Sequence, residues 1–163
     1  MEFSLKRDIL LKSLNHVQGV VERKSTLQIL SNVLIEASAS KIKLTSTDMD
    51  VIFIEEIGDV QVKKEGSTTT SASVLYEIVR KLNQNSDVNL TLLSENKLQL
   101  TSEKSKFNLN CLPANDFPLT QEDISSNNTG IEASLFLKLL NKTKFAISND
   151  ETRHYLNGIY LHK

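Results

Sequence analysis

The chain has 163 residues, with 19 lysines and arginines against 20 aspartates and glutamates, and a single cysteine, Cys111. A net charge of −1 argues against a classical nucleic-acid binder on overall charge, and one cysteine excludes an internal disulfide and a cysteine-rich zinc site, which fits a reducing, cytoplasmic setting. The N-terminus, with Glu2 and no long apolar run, does not read as a signal peptide, and no stretch approaches the roughly eighteen apolar residues of a membrane span.

Taken in chain order, the hydrophobic pattern predicts a strand at 2–6, a helix at roughly 7–21, and strands at 29–38, 41–46, 51–57, 59–63 and 67–70. A second helix follows at 73–83. Ser71 or Ser73 is placed to cap it, Val74, Leu75, Ile78, Val79 and Leu82 make one apolar face, and Glu77, Arg80 and Lys81 fall opposite. Strands at 88–93, 97–102 and 105–111 come next, joined by the turn signals Glu95-Asn96-Lys97 and Ser102-Glu103-Lys104-Ser105. The polar, acidic segment from Thr120 to Gly130 reads as an exposed linker, and a third helix follows at 134–147 with Leu135, Phe136, Leu139 and Leu140 as its buried stripe. Helices interspersed with antiparallel hairpins give an α+β class in which two helices pack on antiparallel sheets.

Residues 5–36 reappear, without a gap, 126 positions later. Twelve apolar positions coincide, among them Leu10 with Phe136, Leu14 with Leu140, Leu30 with Leu156 and Ile35 with Leu161, where independent placement would give roughly seven. The chain is therefore expected to hold a complete first domain over 1–120, a linker over 121–128 and the start of a second, truncated domain over 129–163.

Charge is unevenly distributed. Segment 134–147 carries Lys138, Lys142 and Lys144 with no acid; Arg80 and Lys81 stand against Glu77; and Arg7, Lys12, Arg23 and Lys24 stand against Asp8 and Glu22. Helices lining one surface would make that surface attractive to phosphate without reading sequence, while the plain alternative is a set of solvated helix faces.

Candidates for chemistry are poor. Cys111 lies in a strand pattern without a basic neighbour and reads as a buried thiol, and His16, His154 and His162 lack metal-ligand spacing. Asp48-Met49-Asp50 offers two carboxylates to Mg²⁺ but reads more cheaply as a polar turn between strands. No catalytic residue, metal site or cofactor is expected.

Three motifs carry a family resemblance: Cys111-Leu-Pro-Ala-Asn-Asp-Phe-Pro118, Arg153-His-Tyr-Leu-Asn-Gly158 and Leu44-Thr-Ser-Thr-Asp48. Together they resemble the bacterial DNA sliding clamp, the beta subunit of DNA polymerase III, over the whole chain. The resemblance implies a DNA-clamp-like repeat domain and, for the family, a head-to-tail homodimeric ring around duplex DNA. Such a clamp tethers the replicative polymerase, is opened by a clamp loader, and performs no chemistry. It implies DNA contacts at Lys24, Ser73, Arg80, Lys81, Asn149, Asp150, His154 and Tyr155. It further implies a partner-peptide pocket whose near wall is Arg153, Tyr155 and Leu156, and a dimer edge at Lys104, Lys106, Phe107 and Leu109. Because the family's pattern continues past Lys163, the chain is expected to be an N-terminal fragment of a clamp. The alternative is a truncated clamp paralogue acting as a non-enzymatic capping or interaction module.

Overall fold

The computed structural model describes residues 1–21, 27–118, 130–150 and 152–162. They belong to two compact units, Met1–Thr120 and Gln121–Lys163.

The first unit runs β1 (Glu2–Lys6), α1 (Arg7–Val17), β2 (Asn32–Ser38), β3 (Lys41–Thr47), β4 (Ile52–Ile57), β5 (Gln61–Lys64), β6 (Gly66–Ser71), α2 (Ala72–Lys81), β7 (Asp87–Ser94), β8 (Lys97–Ser102) and β9 (Ser105–Leu112). α1 buries Leu10, Leu14 and Val17 and α2 buries Ala72, Leu75 and Val79, the three-to-four spacing of an amphipathic helix. Ser71 caps α2 by accepting a hydrogen bond from the Val74 N–H at 3.4 Å. Both helices are shorter than the pattern predicts. α1 stops at Val17, where tight turns through Gly19 and Val20 take over, and α2 stops at Lys81 because Leu82 is extended. Val74 is exposed, so the buried stripe of α2 is narrower than predicted. The predicted strand at 29–38 starts only at Asn32. Gln28–Ser31 forms a 3-10 turn closed by the Ser31 hydroxyl on the Gln28 carbonyl at 2.7 Å.

All nine strands join one antiparallel sheet in the order β4-β3-β2-β6-β9-β8-β7-β1-β5. That order exposes an internal duplication. β1-α1-β2-β3-β4 and β6-α2-β7-β8-β9 are the same supersecondary unit, and each lends its first strand to the other's sheet: β6 pairs with β2, and β1 with β7. The exchange welds the halves together, since neither half-sheet is complete without the other's strand. Leu10 and Leu14 of α1 find their counterparts 65 residues on in Leu75 and Val79 of α2.

One continuous core joins the helices to the inner sheet face through Phe3, Val33, Ile35, Ile42, Leu44, Val88, Leu90, Leu98 and Leu100. Leu34 points the other way, as strand alternation requires, yet is only 1% exposed. Leu30 and Phe117 are likewise buried outside the main core, and the 3-10 turn Ala114–Asp116 packs on β6. The segment after β9 therefore closes over part of the outer face.

In the second unit α3 spans Ala133–Thr143, 126 residues after α1, and is followed by 3-10 turns at Lys144–Ala146 and His154–Leu156. The turn at 154–156 likewise stands 126 residues after the 3-10 turn that begins at Gln28. The stripe of Leu135, Phe136, Leu139 and Leu140 is not buried as predicted. Leu135 and Leu139 are each 46% exposed, because the described residues of this unit supply no sheet for the helix to cover. Residues 154–156 of the Arg153–Gly158 motif form a 3-10 turn, tied back by the Ser148 N–H on the Leu156 carbonyl at 2.9 Å. Among the described residues no helix is long and apolar enough to cross a membrane.

Candidate nucleic-acid interface

α1 and α2 pack side by side, so their outward faces form one surface of the first unit. On it Lys12, Asn15, Arg80 and Lys81 are exposed. Tyr76 bridges the helices by donating from its hydroxyl to Asn15 Oδ1 at 3.5 Å. Arg80 is anchored twice: Nη2 lies 2.7 Å from Glu77 Oε2, and the guanidinium carbon sits 5.8 Å from the centre of the Tyr76 ring. Lys81 has no carboxylate within ion-pair distance among the described residues. Ser73 sits half-buried at the opposite end of α2, its hydroxyl 3.3 Å from that of Ser71. Roughly 10 Å of helix separates it from Arg80.

Arg7 does not contribute to this positive surface, although its charge falls in the basic helix segment. Only 8% exposed, it donates from Nε to the Val79 carbonyl at 3.0 Å and from Nη2 to the Arg80 carbonyl at 2.6 Å, and it pairs with Asp8 at 2.7 Å. A cation is thereby placed on the negative end of the α2 dipole. The Arg7 guanidinium and the Asn85 N–H hold the Asp8 carboxyl below its ordinary range. Lys24 lies outside the described residues.

The second surface is an edge. β9 pairs with β8 along 105–110 but with β6 only at Cys111 and Leu112, so much of its other side is unpaired among the described residues. Lys106 is exposed on β9, whereas Lys104, expected on the same strand, is exposed in the turn just before it, and neither has an ion-pair partner among the described residues. Phe107 is half-buried and lines a groove of about 420 Å³ with Val74, Glu77, Ile78, Lys81 and Leu82. Leu109, two residues on and therefore on the same face of the strand, points into the core against which Phe107 also packs. At the far end of the sheet, β4 carries acids instead. Glu55 accepts from the Ser13 hydroxyl and pairs with His16 Nδ1, both at 3.0 Å, and Glu56 pairs with Lys41 at 2.8 Å.

In the second unit Asn149 is exposed, and Asp150 organises its own loop. Its Oδ1 accepts from the Thr152 N–H at 2.9 Å and the Thr152 hydroxyl at 2.6 Å, which hold its carboxyl below the ordinary range. Its other oxygen lies 3.4 Å from Arg153 Nε. Tyr155 is 82% exposed and Leu156 is also open. The backbone of His154 belongs to the same turn.

Asp48 uses Oδ1 to accept from the N–H groups of Asp50 and Val51 at 3.0 and 2.7 Å, so the Asp48-Met49-Asp50 stretch is a turn, and the described residues hold no cluster of three or more potential metal ligands. Cys111 is buried, and burial pushes its thiol up, away from the nucleophilic thiolate. Sequence patterns gave no sign of the Tyr76–Asn15 bridge or of the groove at Phe107, since both depend on side chains distant in the chain. The i, i+3 spacing of Glu77 and Arg80 was a readable signal for their pairing.

Two helices backed by a closed-over antiparallel sheet and duplicated within the first unit, with the first helix recurring 126 residues later as α3, define a clamp-type repeat domain. Residues 1–121 match the family described as DNA polymerase III beta subunit, N-terminal domain. The chain is 43% identical over 163 residues to the beta sliding clamp of Caulobacter vibrioides and 31% identical over 159 residues to that of Escherichia coli K12. These alignments cover 99% and 98% of this chain but 44% and 43% of those proteins, so the chain spans less than half the length of the curated relatives it matches. Among solved structures, the sliding clamp from Bartonella birtlesii bound to griselimycin superposes with a TM-score of 0.95 at 41% identity, over 99% of this chain and 43% of that one. A Pseudomonas aeruginosa beta subunit superposes at 0.89 and 36% identity, over 97% of this chain and 43% of that one. The chain belongs to the DNA polymerase III beta subunit family.

Proposed function

We propose that this chain supplies the first domain, and the beginning of the second, of a cytoplasmic sliding clamp. In that assembly the α1 and α2 faces turn toward duplex DNA while the sheet faces outward, and the ring tethers a replicative polymerase after a loader has closed it. The role is non-catalytic and needs no cofactor. The observation that carries this reading is the placement of Lys12, Arg80 and Lys81 on one helical surface of a chain whose net charge is −1. Such a surface holds phosphate by charge alone, independent of base sequence and weakly enough to slide.

Assembly follows from the edges. A strand edge with free backbone groups and a half-buried aromatic beside it calls for a partner strand, and β9 with Phe107, Lys104 and Lys106 presents one, with Leu109 fixing the strand from within. We assign this edge to the neighbouring protomer of a homodimeric ring. In the second unit, Arg153, Tyr155 and Leu156 form the near wall of a site for short peptide motifs from polymerase and loader subunits, and Asn149, Asp150, His154 and Tyr155, with Lys24 and Ser73 of the first unit, complete the DNA-facing set. The test is retention on DNA after loading. A ring tether stays on nicked circular duplex and is lost when the circle is cut, whereas a capping module forms a complex with full-length clamp and is not retained on DNA at all.

A further inference from the structure

The outward face of α2 carries a single acid, Glu77, and it lies against the arginine that this face offers to DNA. Arg80 is held from two sides, by the Glu77 carboxylate at 2.7 Å and by the Tyr76 ring at 5.8 Å, with Tyr76 steadied in turn by Asn15. Lys81, the next residue, has no such partner among the described residues. A phosphate approaching Arg80 meets a guanidinium whose Nη2 is already engaged and a carboxylate of its own sign beside it. Resting on the reading of this face as DNA-facing, we propose that Glu77 is an internal substitute for phosphate: DNA engages Arg80 only by displacing Glu77, and Glu77 recaptures the guanidinium when the phosphate leaves. The contact therefore breaks nearly as readily as it forms, which is what a protein moving along a duplex requires, while Lys81 supplies an uncontested, salt-sensitive attraction. The Tyr76 ring keeps Arg80 on the surface during the exchange, so little side-chain ordering remains to be done when either anion binds.

The test is the affinity of this chain for a short fluorescent duplex across a salt series, with Glu77→Gln, Arg80→Gln, the double variant and Lys81→Gln, each checked for fold by circular dichroism. Glu77→Gln is expected to tighten binding roughly two- to fourfold at low salt and to steepen the salt dependence. In the Arg80→Gln background the same change is expected to have no effect. If Glu77→Gln weakens binding, Glu77 orients Arg80 instead of competing for it, and the proposal falls. It falls equally if the gain persists without Arg80, since removal of any acid would then suffice. Weakening by Lys81→Gln with no response to Glu77→Gln leaves the DNA-facing reading standing and overturns only the exchange. Absence of binding by every variant at low salt overturns both.

Discussion

The guanidinium of Arg7, the first residue of α1, donates from Nε to the carbonyl of Val79 in the last turn of α2 at 3.0 Å. Two helices from the two halves of the duplicated unit are joined there, residue 7 to residue 79, by a buried cation on exposed carbonyl dipoles. Replacing Arg7 by Ala removes its bond to the Arg80 carbonyl and leaves the Val79 carbonyl with the longer bond from the Leu82 N–H at 3.3 Å, so a loss of about 2–4 kcal/mol is expected in urea unfolding. Arg7→Lys keeps the charge without the planar fork and is expected to recover less than half of that.

Asp8 is tied into the same junction, accepting from Arg7 at 2.7 Å and from the Asn85 N–H at 2.9 Å. Its carboxyl is held below the ordinary value of 3.8 by those bonds, the Arg7 hydrogen bond first. A depressed native pKa means that this stabilisation is fully present above that ordinary value and is lost as pH falls through the native one. The stability difference between the wild type and Asp8→Asn is therefore expected to be constant at neutral pH and to shrink toward zero in acid. A difference that grows on acidification would contradict the assignment.

Met49 sits at φ 81° in the turn between β3 and β4, with its side chain exposed. The turn is held by Asp48 Oδ1 on two backbone N–H groups and by the Thr47 hydroxyl, which donates to the Val51 carbonyl at 2.8 Å. Since the Met49 side chain is more than half exposed, backbone strain dominates substitutions there. Met49→Val is expected to cost about 1–2 kcal/mol and Met49→Gly to cost nothing measurable, read as midpoint shifts in thermal or urea unfolding.

Phe117, 4% exposed, tests whether the segment after β9 is part of the fold. Phe117→Ala is expected to lose about 2–4 kcal/mol. Combined with Leu75→Ala in the main core, the losses are expected to add, because Phe117 stands outside that cluster. Strong non-additivity would mean that the two cores behave as one.

The Cys111 thiol, buried and pushed up, is expected to resist aromatic disulfide reagents in the native protein and to react fully in urea. Its rate of modification then reports opening of the β9 side of the core. Fast native reaction would show that β9 is not held as its pairing with β6 and β8 indicates.

Much of this was legible from residue order alone. The periodicity of Leu10, Leu14 and Val17, the alternation in Lys97-Leu98-Gln99-Leu100 and the 126-residue recurrence of apolar positions depend only on each residue's neighbours and on the two backbone periods. That is why the α+β class, the nine strands and the family resemblance could be read without coordinates. The placement of Glu77, Arg80 and Lys81 on the polar face of α2 was visible for the same reason, while the pairing of Glu77 with Arg80 comes from the structure.

What only the tertiary structure decided is where equivalent-looking residues go. Arg7 and Arg80 are both helical arginines, but one is buried across a helix junction and the other lies on the surface, because Arg7 faces the C-terminal carbonyls of α2 and Arg80 faces water. Leu34 and Leu135 are both leucines in apolar patterns, yet one is covered on the outer sheet face and the other is 46% exposed. The exchange of β1 and β6 between halves, the unpaired side of β9 and the groove at Phe107 arise from contacts between segments tens of residues apart. Sequence sets the local period that makes a residue helical or extended. Whether its side chain is buried, paired or offered to a partner depends on which distant segment packs against it, and no local pattern encodes that.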